Sequence, residues 1–233
     1  MPEFVLTERR GGCAELVLNR PEKRNALIGP MVAEMREAIE AFSADEDVGV
    51  VLIRGAGGTF CAGMDLEARR TDPPPEWAGR MNDLWADFHA ALWRCPKPVI
   101  GAVERAAIAA GSALCFACDF IVVGETARVG AREARLGMAG APINTAWLLT
   151  RWGYHTALTV TASARDFNGR ELKEMGIAYR CVPDDRVLDE ARAVAEELGQ
   201  NSAPAMAAMK RTLQRVSGVS DFRELILRAQ GRA

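Results

Sequence analysis

The amino-acid sequence predicts an α/β fold, in which short buried strands alternate with helices. Three continuous apolar runs, at 48–55, 97–103 and 120–124, have the length of buried strands and are separated by turn signals. Helical patterns occupy the stretches between them, and the chain beyond about residue 140 is mostly helical. Such alternation is typical of a sheet whose strands are connected through helices.

The N-terminal part supplies a strand pair and the first helix. Apolar-rich runs at 3–9 and 14–19 flank "RRGG", which predicts two strands joined by a glycine turn. A helix is predicted from Pro30 onward, since proline is well placed in a first turn. The apolar residues of this helix recur at helical spacing: Met31, Met35, Ala38, Ile39 and Phe42.

The loop "GAGGTFCAGMDL", residues 55–66, is rich in glycine but is not a nucleotide-binding motif. The sixth position of a GxGxxG pattern is Phe60, and no Gly-Lys-Ser/Thr follows. The proline cluster at 71–77 predicts a surface loop, and a helix to about Arg94 follows it.

The run "AIAAGSALCFACDF", residues 107–120, is predicted to be a buried helix. From Ala106 it has 13 residues before Asp119, whereas a membrane span needs about 20. Its CxxC pair, Cys115 and Cys118, is predicted to be two core residues. A zinc site needs two more ligands at suitable spacing, and the chain has no second CxxC and 2 histidines.

Composition describes a globular chain long enough for one large domain, or one domain plus a small appendage. The 233 residues are 49% hydrophobic and 26% charged with a net charge of −2, which argues against a nucleic-acid partner. The 6 cysteines are scattered and the N-terminus lacks a signal-peptide pattern, so we expect a cytoplasmic protein with reduced thiols. No membrane segment and no metal site are expected.

Four motifs, taken together, resemble the enoyl-CoA hydratase/isomerase family, the crotonase superfamily. They are "LNRPEKRNAL" at 18–27, "VVLIRGAGGTFCAGMDL" at 50–66, "CPKPVIGAVERAAIAAGSALCFACDFIVV" at 95–123 and "ELKEMGIAYRCVPDD" at 171–185. They occur in the family's order and spacing, and the match runs from about residue 13 to 213.

The resemblance implies a crotonase-like spiral of ββα units, which we assign to residues 1–185. It implies a helical C-terminal oligomerisation segment, residues 186–233, in a homotrimer or dimer of trimers. The sequence stops before the family's usual last helix, so this segment is expected to be shortened and the acyl pocket more open or covered by a neighbouring subunit. The implied substrate is an acyl-CoA thioester, as in fatty acid metabolism, and coenzyme A is part of it; no separate cofactor is implied.

The resemblance also implies enolate chemistry in an oxyanion hole made of two backbone N–H groups. These carry over to Met64, which follows "CAG", and to Ala110, the middle residue of Ala109-Ala110-Gly111 where the family usually has three glycines. Removing a proton next to a thioester places negative charge on its oxygen, and one preorganised donor is worth about 2.7 to 4 kcal/mol in other enzymes.

The implied contacts to coenzyme A come from the first two motifs. Lysine and arginine suit its phosphates as point charge and planar fork. The substrate-binding residues carried over are Lys23, Arg24, Ala26, Ala62, Gly63, Met64, Asp65, Leu66, Ala110 and Gly111.

The number of acids bears on the reaction. Hydratases of the family use two glutamates, and the first of these positions is Ala113 here. The second matches Glu133, in "REARLG". One glutamate suffices for a 1,3-proton shift, if burial raises its pKa toward neutrality. A surface ion pair of Glu133 with Arg132 or Arg135 is the alternative.

Three functions therefore stay open. The first is an isomerase with Glu133 as its single base. The second is a hydratase whose second polar group comes from Ser112 or Asn144, and the third is a catalytically silent acyl-CoA-binding protein. Two segments depart from the family pattern, Glu104-Arg105 in place of Asn-Gly and 137–147, which lacks Pro-Gly-Gly.

Overall fold

The computed structural model describes residues 3–137 and 142–231, so residues 138–141 of the segment 137–147 lie outside it. The strands are β1 (Val5–Arg10), β2 (Cys13–Leu18), β3 (Val50–Gly55), β4 (Val99–Val103), β5 (Ala106–Ile108), β6 (Phe120–Gly124), β7 (Arg128–Gly130) and β8 (Arg180–Val182). The helices are α1 (Gly29–Ala44), α2 (Leu66–Arg69), α3 (Met81–Arg94), α4 (Ala110–Ala117), α5 (Pro142–Ser163), α6 (Gly169–Glu174), α7 (Val187–Gly199), α8 (Ala203–Val216) and α9 (Phe222–Ala229).

The main sheet has the strand order β1-β2-β3-β4-β6-β8. Strands β1 and β2 are antiparallel, with Val5 opposite Leu18, and every later pairing in this sheet is parallel. The α/β prediction is confirmed, including the N-terminal strand pair, the first helix and the three buried strands.

The two faces of the main sheet bury different sets of side chains, as the alternation along a strand requires. One face contributes Val51, Ile53, Val99, Val103, Ile121 and Val123 to a large core shared with α1, α3, α4 and α5. The other face contributes Val50, Leu52, Ile100, Ala102 and Val122 to a smaller core covered by α7. The main sheet is thus buried on both faces.

A second, two-stranded sheet is the part of the fold that the sequence did not predict. Strands β5 and β7 pair in parallel, with Ala107 opposite Val129, and a lone bridge joins Ala107 to Cys61. The predicted helix over 107–120 is therefore wrong at its N-terminal end, since residues 106–108 are strand and α4 begins at Ala110.

Cys115 and Cys118 are core residues, as predicted. Both are 0% exposed with free thiols. Burial raises the pKa of Cys118 to about 12 and the pKa of Cys115 well above its usual value. Within the ranges that the structure describes, no helix is long and apolar enough to cross a bilayer.

The C-terminal helices occupy three different positions. Helix α7 covers the second face of the main sheet, while α9 packs on α3 and α5 and buries Phe222 and Ile226. Helix α8 leaves three large apolar residues in solvent: Met209, Leu213 and Val216. The division into a core ending at 185 and an oligomerisation segment stays a prediction.

Candidate active site

The segment 61–66 forms one wall of the candidate site and is held by backbone hydrogen bonds on two sides. The Cys61 N–H donates to the Ala106 carbonyl at 3.0 Å, and the Cys61 carbonyl accepts from the Ile108 N–H at 3.1 Å. On the other side, the Leu27 N–H donates to the Gly63 carbonyl at 2.8 Å. These bonds place the segment 61–66 between the first sequence motif and strand β5.

Gly63 is required where the two walls meet. Its φ is +99°, and a Cβ there would lie 2.8 Å from the Ile108 carbonyl oxygen. The same Cβ position is 3.7 Å from the Ala110 nitrogen, so the residue before Met64 is a direct neighbour of Ala110. Only glycine accepts this backbone conformation without strain.

The second wall is the turn from β5 into α4. Ala109 has φ +52° and ψ −114°, and its N–H donates to the Gly130 carbonyl at 2.8 Å. Helix α4 then packs closely on the first wall, since a Cβ on Gly111 would lie 2.3 Å from the Cys61 carbonyl oxygen.

Two backbone N–H groups are available where these walls meet. In the described part of the chain, neither the Met64 N–H nor the Ala110 N–H has a hydrogen-bond acceptor. Ala110 is the first residue of α4, so its N–H also lies at the positive end of the helix dipole. The arrangement can hold a developing oxyanion.

Glu133 follows the strand that pairs with β5. It begins a short 3-10 helix, Glu133–Leu136, three residues after the end of β7. Because β5 and β7 are parallel, Glu133 and Ala110 leave the small sheet at the same edge.

The carboxylate of Glu133 is desolvated and lacks a full set of partners. Among the described residues, its Oε2 is buried with no hydrogen-bond partner. Burial raises the pKa of Glu133 above its usual value, and a bond from its own backbone offsets only part of that shift. A carboxylate in this state can act as a proton acceptor near neutral pH.

The alternative ion pair of Glu133 with its neighbours is not formed. The Arg132 Nε donates to Asp166 Oδ1 at 2.7 Å, and a second bond joins the same two side chains. Arg135 is exposed, and its charge lowers the pKa of Asp166. The arginines that flank Glu133 therefore stabilise the carboxylate of Asp166 rather than that of Glu133.

The first acid position of the family holds Ala113, which is 1% exposed in α4 and cannot transfer a proton. The two polar residues considered in its place, Ser112 and Asn144, are 0% and 2% exposed. Both contact the carbonyl of Ala109, through Ser112 Oγ at 2.7 Å and Asn144 Nδ2 at 3.3 Å. Their polar atoms are engaged with the backbone and with each other.

The residues assigned to coenzyme A lie on two segments that the structure brings together. The Ala62 N–H donates to the Arg24 carbonyl at 3.0 Å. Lys23 and Arg24 are exposed, Ala26 is half-buried, and Lys23 Nζ lies 3.2 Å from Glu67 Oε2. Leu66 is 48% exposed at the start of α2.

Asp65, also assigned to coenzyme A, has a carboxylate that is used within the protein. Its Oδ1 accepts from the Ala68 N–H and caps α2, while its Oδ2 lies 3.1 Å from Arg20. Burial raises the pKa of Asp65, but the Ala68 and Arg20 bonds outweigh it and the pKa is lowered. A ligand can therefore contact Asp65 through its backbone rather than its carboxylate.

Sequence reasoning gave no role to Asn25, which organises the first motif. Asn25 is 0% exposed with φ +55°, and its Nδ2 donates to the Thr59 carbonyl at 2.6 Å. Its Oδ1 accepts from the Arg20 N–H at 2.9 Å. An asparagine between turn residues is the only local signal, because this residue type tolerates positive φ.

A buried pair that joins α3 to α5 was missed as well. The Trp147 Nε1–H donates to His89 Nδ1 at 2.8 Å. Burial lowers the pKa of His89 to about 3, so this histidine is neutral. Trp147 is 0% exposed in contact with Phe222, so it belongs to the core.

Comparison with known proteins identifies relatives of this chain over most of its length. The sequence profile of the family described as enoyl-CoA hydratase/isomerase matches residues 8–229. Enoyl-CoA hydratase EchA19 of Mycobacterium tuberculosis is 34% identical over 212 residues, which is 90% of this chain and 80% of that protein. The 1,2-epoxyphenylacetyl-CoA isomerase of Escherichia coli is 29% identical over 217 residues, 91% of this chain and 82% of that protein.

Solved structures share the fold. An enoyl-CoA hydratase/carnithine racemase from Magnetospirillum magneticum superimposes with a TM-score of 0.84 at 27% identity, covering 93% of this chain and 82% of that chain. The Pseudomonas aeruginosa protein PA4980 superimposes with a TM-score of 0.85 at 27% identity, covering 99% of this chain and 98% of that chain. The predicted crotonase-like fold is confirmed.

Proposed function

Because this chain belongs to the enoyl-CoA hydratase/isomerase family, we propose that it moves the double bond of an enoyl-CoA thioester, with Glu133 as its single proton-transferring side chain. The family makes it an enzyme that acts on acyl-CoA thioesters. The position of the double bond before and after the reaction, and the identity of the base, are the proposed part.

The observation that carries the proposal is the contrast between the two acid positions. Glu133 has a buried Oε2 without a partner in the described part of the chain, and its pKa is raised. The other position is Ala113, buried in α4. One desolvated carboxylate is suited to taking a proton and returning it, because it changes charge once in each direction.

In the proposed reaction, the thioester carbonyl of a 3-enoyl-CoA accepts hydrogen bonds from the Met64 and Ala110 N–H groups. Glu133 removes a proton from C2, and the electron pair of that C–H bond moves into the carbonyl to give a dienolate. The two N–H groups stabilise the negative oxygen. Protonated Glu133 then returns the proton to C4, the double bond comes to lie between C2 and C3, and Glu133 is ionised again.

Hydration would place different demands on the site. Water must lose a proton as it attacks C3, and a proton must reach C2, for which the family's hydratases use two carboxylates. Ala113 supplies neither function, and the polar atoms of Ser112 and Asn144 are engaged with the Ala109 carbonyl and with each other. This distribution of polar groups supports isomerisation over hydration.

The coenzyme A part of the substrate is proposed to lie along the segments 20–27 and 61–66. Lys23 and Arg24 are exposed at the first of these, where they can meet the phosphates. Ala62, Gly63 and Leu66 provide backbone and apolar contacts beside them. No cofactor other than this substrate moiety enters the proposed reaction.

We propose a homotrimer, or a dimer of two trimers, as the assembly. The support in this chain is the exposed apolar face of α8, on which Met209, Leu213 and Val216 are 67%, 72% and 79% exposed. Contiguous apolar surface of this kind is typical of protein interfaces.

The test compares two substrates. With trans-3-hexenoyl-CoA, we expect conversion to the conjugated 2-enoyl thioester, which ultraviolet absorbance reports. With crotonyl-CoA, we expect hydration at least 100-fold slower, since the family's first acid position holds Ala113. Fast hydration of crotonyl-CoA would establish a hydratase instead, and binding of both thioesters without turnover would establish a silent binding protein.

A further inference from the structure

The residue before Ala110 adopts a backbone conformation that an alanine seldom takes. Ala109 has φ +52° and ψ −114°, a combination that is costly for a residue with a Cβ. Such conformations persist only where surrounding contacts hold them, at a cost of order 1–3 kcal/mol each.

The carbonyl of Ala109 is held by two buried side chains from different helices. Ser112 Oγ lies 2.7 Å from this oxygen, and Asn144 Nδ2 donates to it at 3.3 Å. Ser112 Oγ also lies 3.0 Å from Asn144 Oδ1, so its single hydroxyl proton serves one of two acceptors at a time. The N–H groups of Ser112 and Ala113 point to the same carbonyl, at 3.0 and 3.2 Å.

Fixing this carbonyl also fixes the direction of a catalytic donor. The Ala109 C=O and the Ala110 N–H belong to one planar trans peptide, so they point in opposite directions. A peptide whose oxygen is turned toward Ser112 and Asn144 therefore turns the Ala110 N–H away from them, to the side where Gly63 lies. Rotation of this peptide would remove that N–H from the oxyanion hole.

We infer that Ser112 and Asn144 are positioning residues, which hold the Ala109–Ala110 peptide in the orientation that aims the Ala110 N–H at the thioester oxygen. The inference rests on the oxyanion hole of the proposed function. It assigns these two polar side chains to orienting a donor rather than to proton transfer, and it explains how an alanine is kept at a position whose backbone suits glycine.

The experiment removes each side chain separately. For Ser112→Ala and for Asn144→Ala, we expect kcat on trans-3-hexenoyl-CoA to fall about 10-fold with KM changed less than threefold, a part of the 10²–10³-fold loss known for a deleted oxyanion donor. The matched control is Ser43→Ala, because Ser43 Oγ donates to the Ile39 carbonyl at 2.7 Å inside α1, away from the site. Its kcat is expected to stay at the wild-type value.

A spectroscopic measurement separates orientation from general loss of structure. Infrared spectra of bound [1-¹³C]hexanoyl-CoA report the polarisation of the thioester carbonyl without any turnover. In the wild-type protein the carbonyl frequency is expected to fall on binding, and in both variants it is expected to return toward the value of the free thioester. Circular dichroism checks the fold, and Ser112→Cys keeps the side-chain volume should Ser112→Ala unfold.

Replacing the strained residue itself gives an independent test. Glycine at 109 takes the observed φ and ψ at little cost. In an Ala109→Gly background, the loss caused by Ser112→Ala is expected to shrink to less than threefold. An equal loss in both backgrounds overturns the positioning role.

The failures of the two proposals can be told apart. A wild-type carbonyl frequency that does not change on binding overturns the oxyanion hole and the positioning role together. A wild-type shift that both variants keep in full overturns the positioning role alone, whatever happens to kcat.

Discussion

Two glutamates with buried carboxylate oxygens, Glu15 and Glu133, occupy opposite electrostatic environments. Glu15 in β2 is 0% exposed and accepts hydrogen bonds from Arg54 at 2.7 Å and from Arg192 at 2.8 and 3.0 Å. Burial raises the pKa of Glu15, but these two arginines outweigh it and the pKa is lowered. Among the residues that the structure describes, no arginine pairs with Glu133, and burial raises its pKa.

The difference shows how one residue type is used for two purposes. Glu15 joins β2, β3 and α7, because its carboxylate is paired with Arg54 and Arg192. This pairing makes it chemically inert and structurally important. Desolvation of Glu133 is offset only in part, by a bond from its own backbone, which costs stability and leaves a basic oxygen available. Desolvated carboxylates with a raised pKa are typical of sites that do chemistry, and carboxylates paired with arginines are typical of structural networks.

The largest expected effect comes from removing the base. Glu133→Gln keeps the shape of the side chain but cannot accept a proton, so kcat on trans-3-hexenoyl-CoA is expected to fall by about 10³–10⁴-fold. Binding of hexanoyl-CoA, measured by calorimetry, is expected to change less than threefold. Glu174→Gln, at an exposed position of α6, is the matched control. Retention of more than a tenth of the activity by Glu133→Gln would remove Glu133 from the reaction.

The second prediction concerns stability. Glu15→Gln leaves Arg192, which is 23% exposed, without its counter-charge, and leaves Arg54, which is 14% exposed, with Glu8 alone as its carboxylate partner. We expect the free energy of unfolding in urea to fall by about 2–3 kcal/mol, less than for a fully buried pair because both arginines retain some solvent. The kcat of the folded variant is expected to match the wild type. A large loss of kcat at unchanged stability would reverse the assignments of the two glutamates.

The smallest expected effect is that activity and folded structure are lost at different pH values. As the pH falls, Glu133 is protonated first, because its pKa is raised, and kcat/KM falls with it. The pKa of Glu15 is lowered, so its contribution to stability is present above its unfolded-state pKa and is lost as the pH falls through the lower, folded-state value. Activity is therefore expected to disappear while far-ultraviolet circular dichroism still reports the folded protein. Loss of activity and of the circular dichroism signal at the same pH would contradict the opposite pKa shifts of Glu133 and Glu15.

The sequence predicted those elements whose patterns are local. Continuous apolar runs identified β3, β4 and β6, and the spacing from Met31 to Phe42 identified α1. The CxxC pair was correctly assigned to the core, because no further ligands were available for it. The motifs also led to the right family.

What the sequence could not predict depends on partners distant along the chain. Strands β5 and β7 have three residues each, too short for a periodic signal, and they form through pairing with each other and with Cys61 and Phe167. The partner of Glu15 in α7, Arg192, is 177 residues away. Nothing in "REARLG" indicates that Arg132 would bond to Asp166 and leave Glu133 alone. The positive φ of Ala109 is equally invisible, since alanine does not indicate it.

The candidate oxyanion hole is made wholly of main-chain atoms, and this affects how the enzyme can evolve. Its walls are tied by the bonds from Leu27 to Gly63, from Cys61 to Ala106 and from Ala109 to Gly130, all between peptide groups. Most side-chain substitutions leave such bonds in place, as the alanines at 109 and 110 illustrate. The scaffold for stabilising an enolate is therefore robust to mutation, while the reaction that uses the enolate depends on a few side chains around it and can be altered one residue at a time.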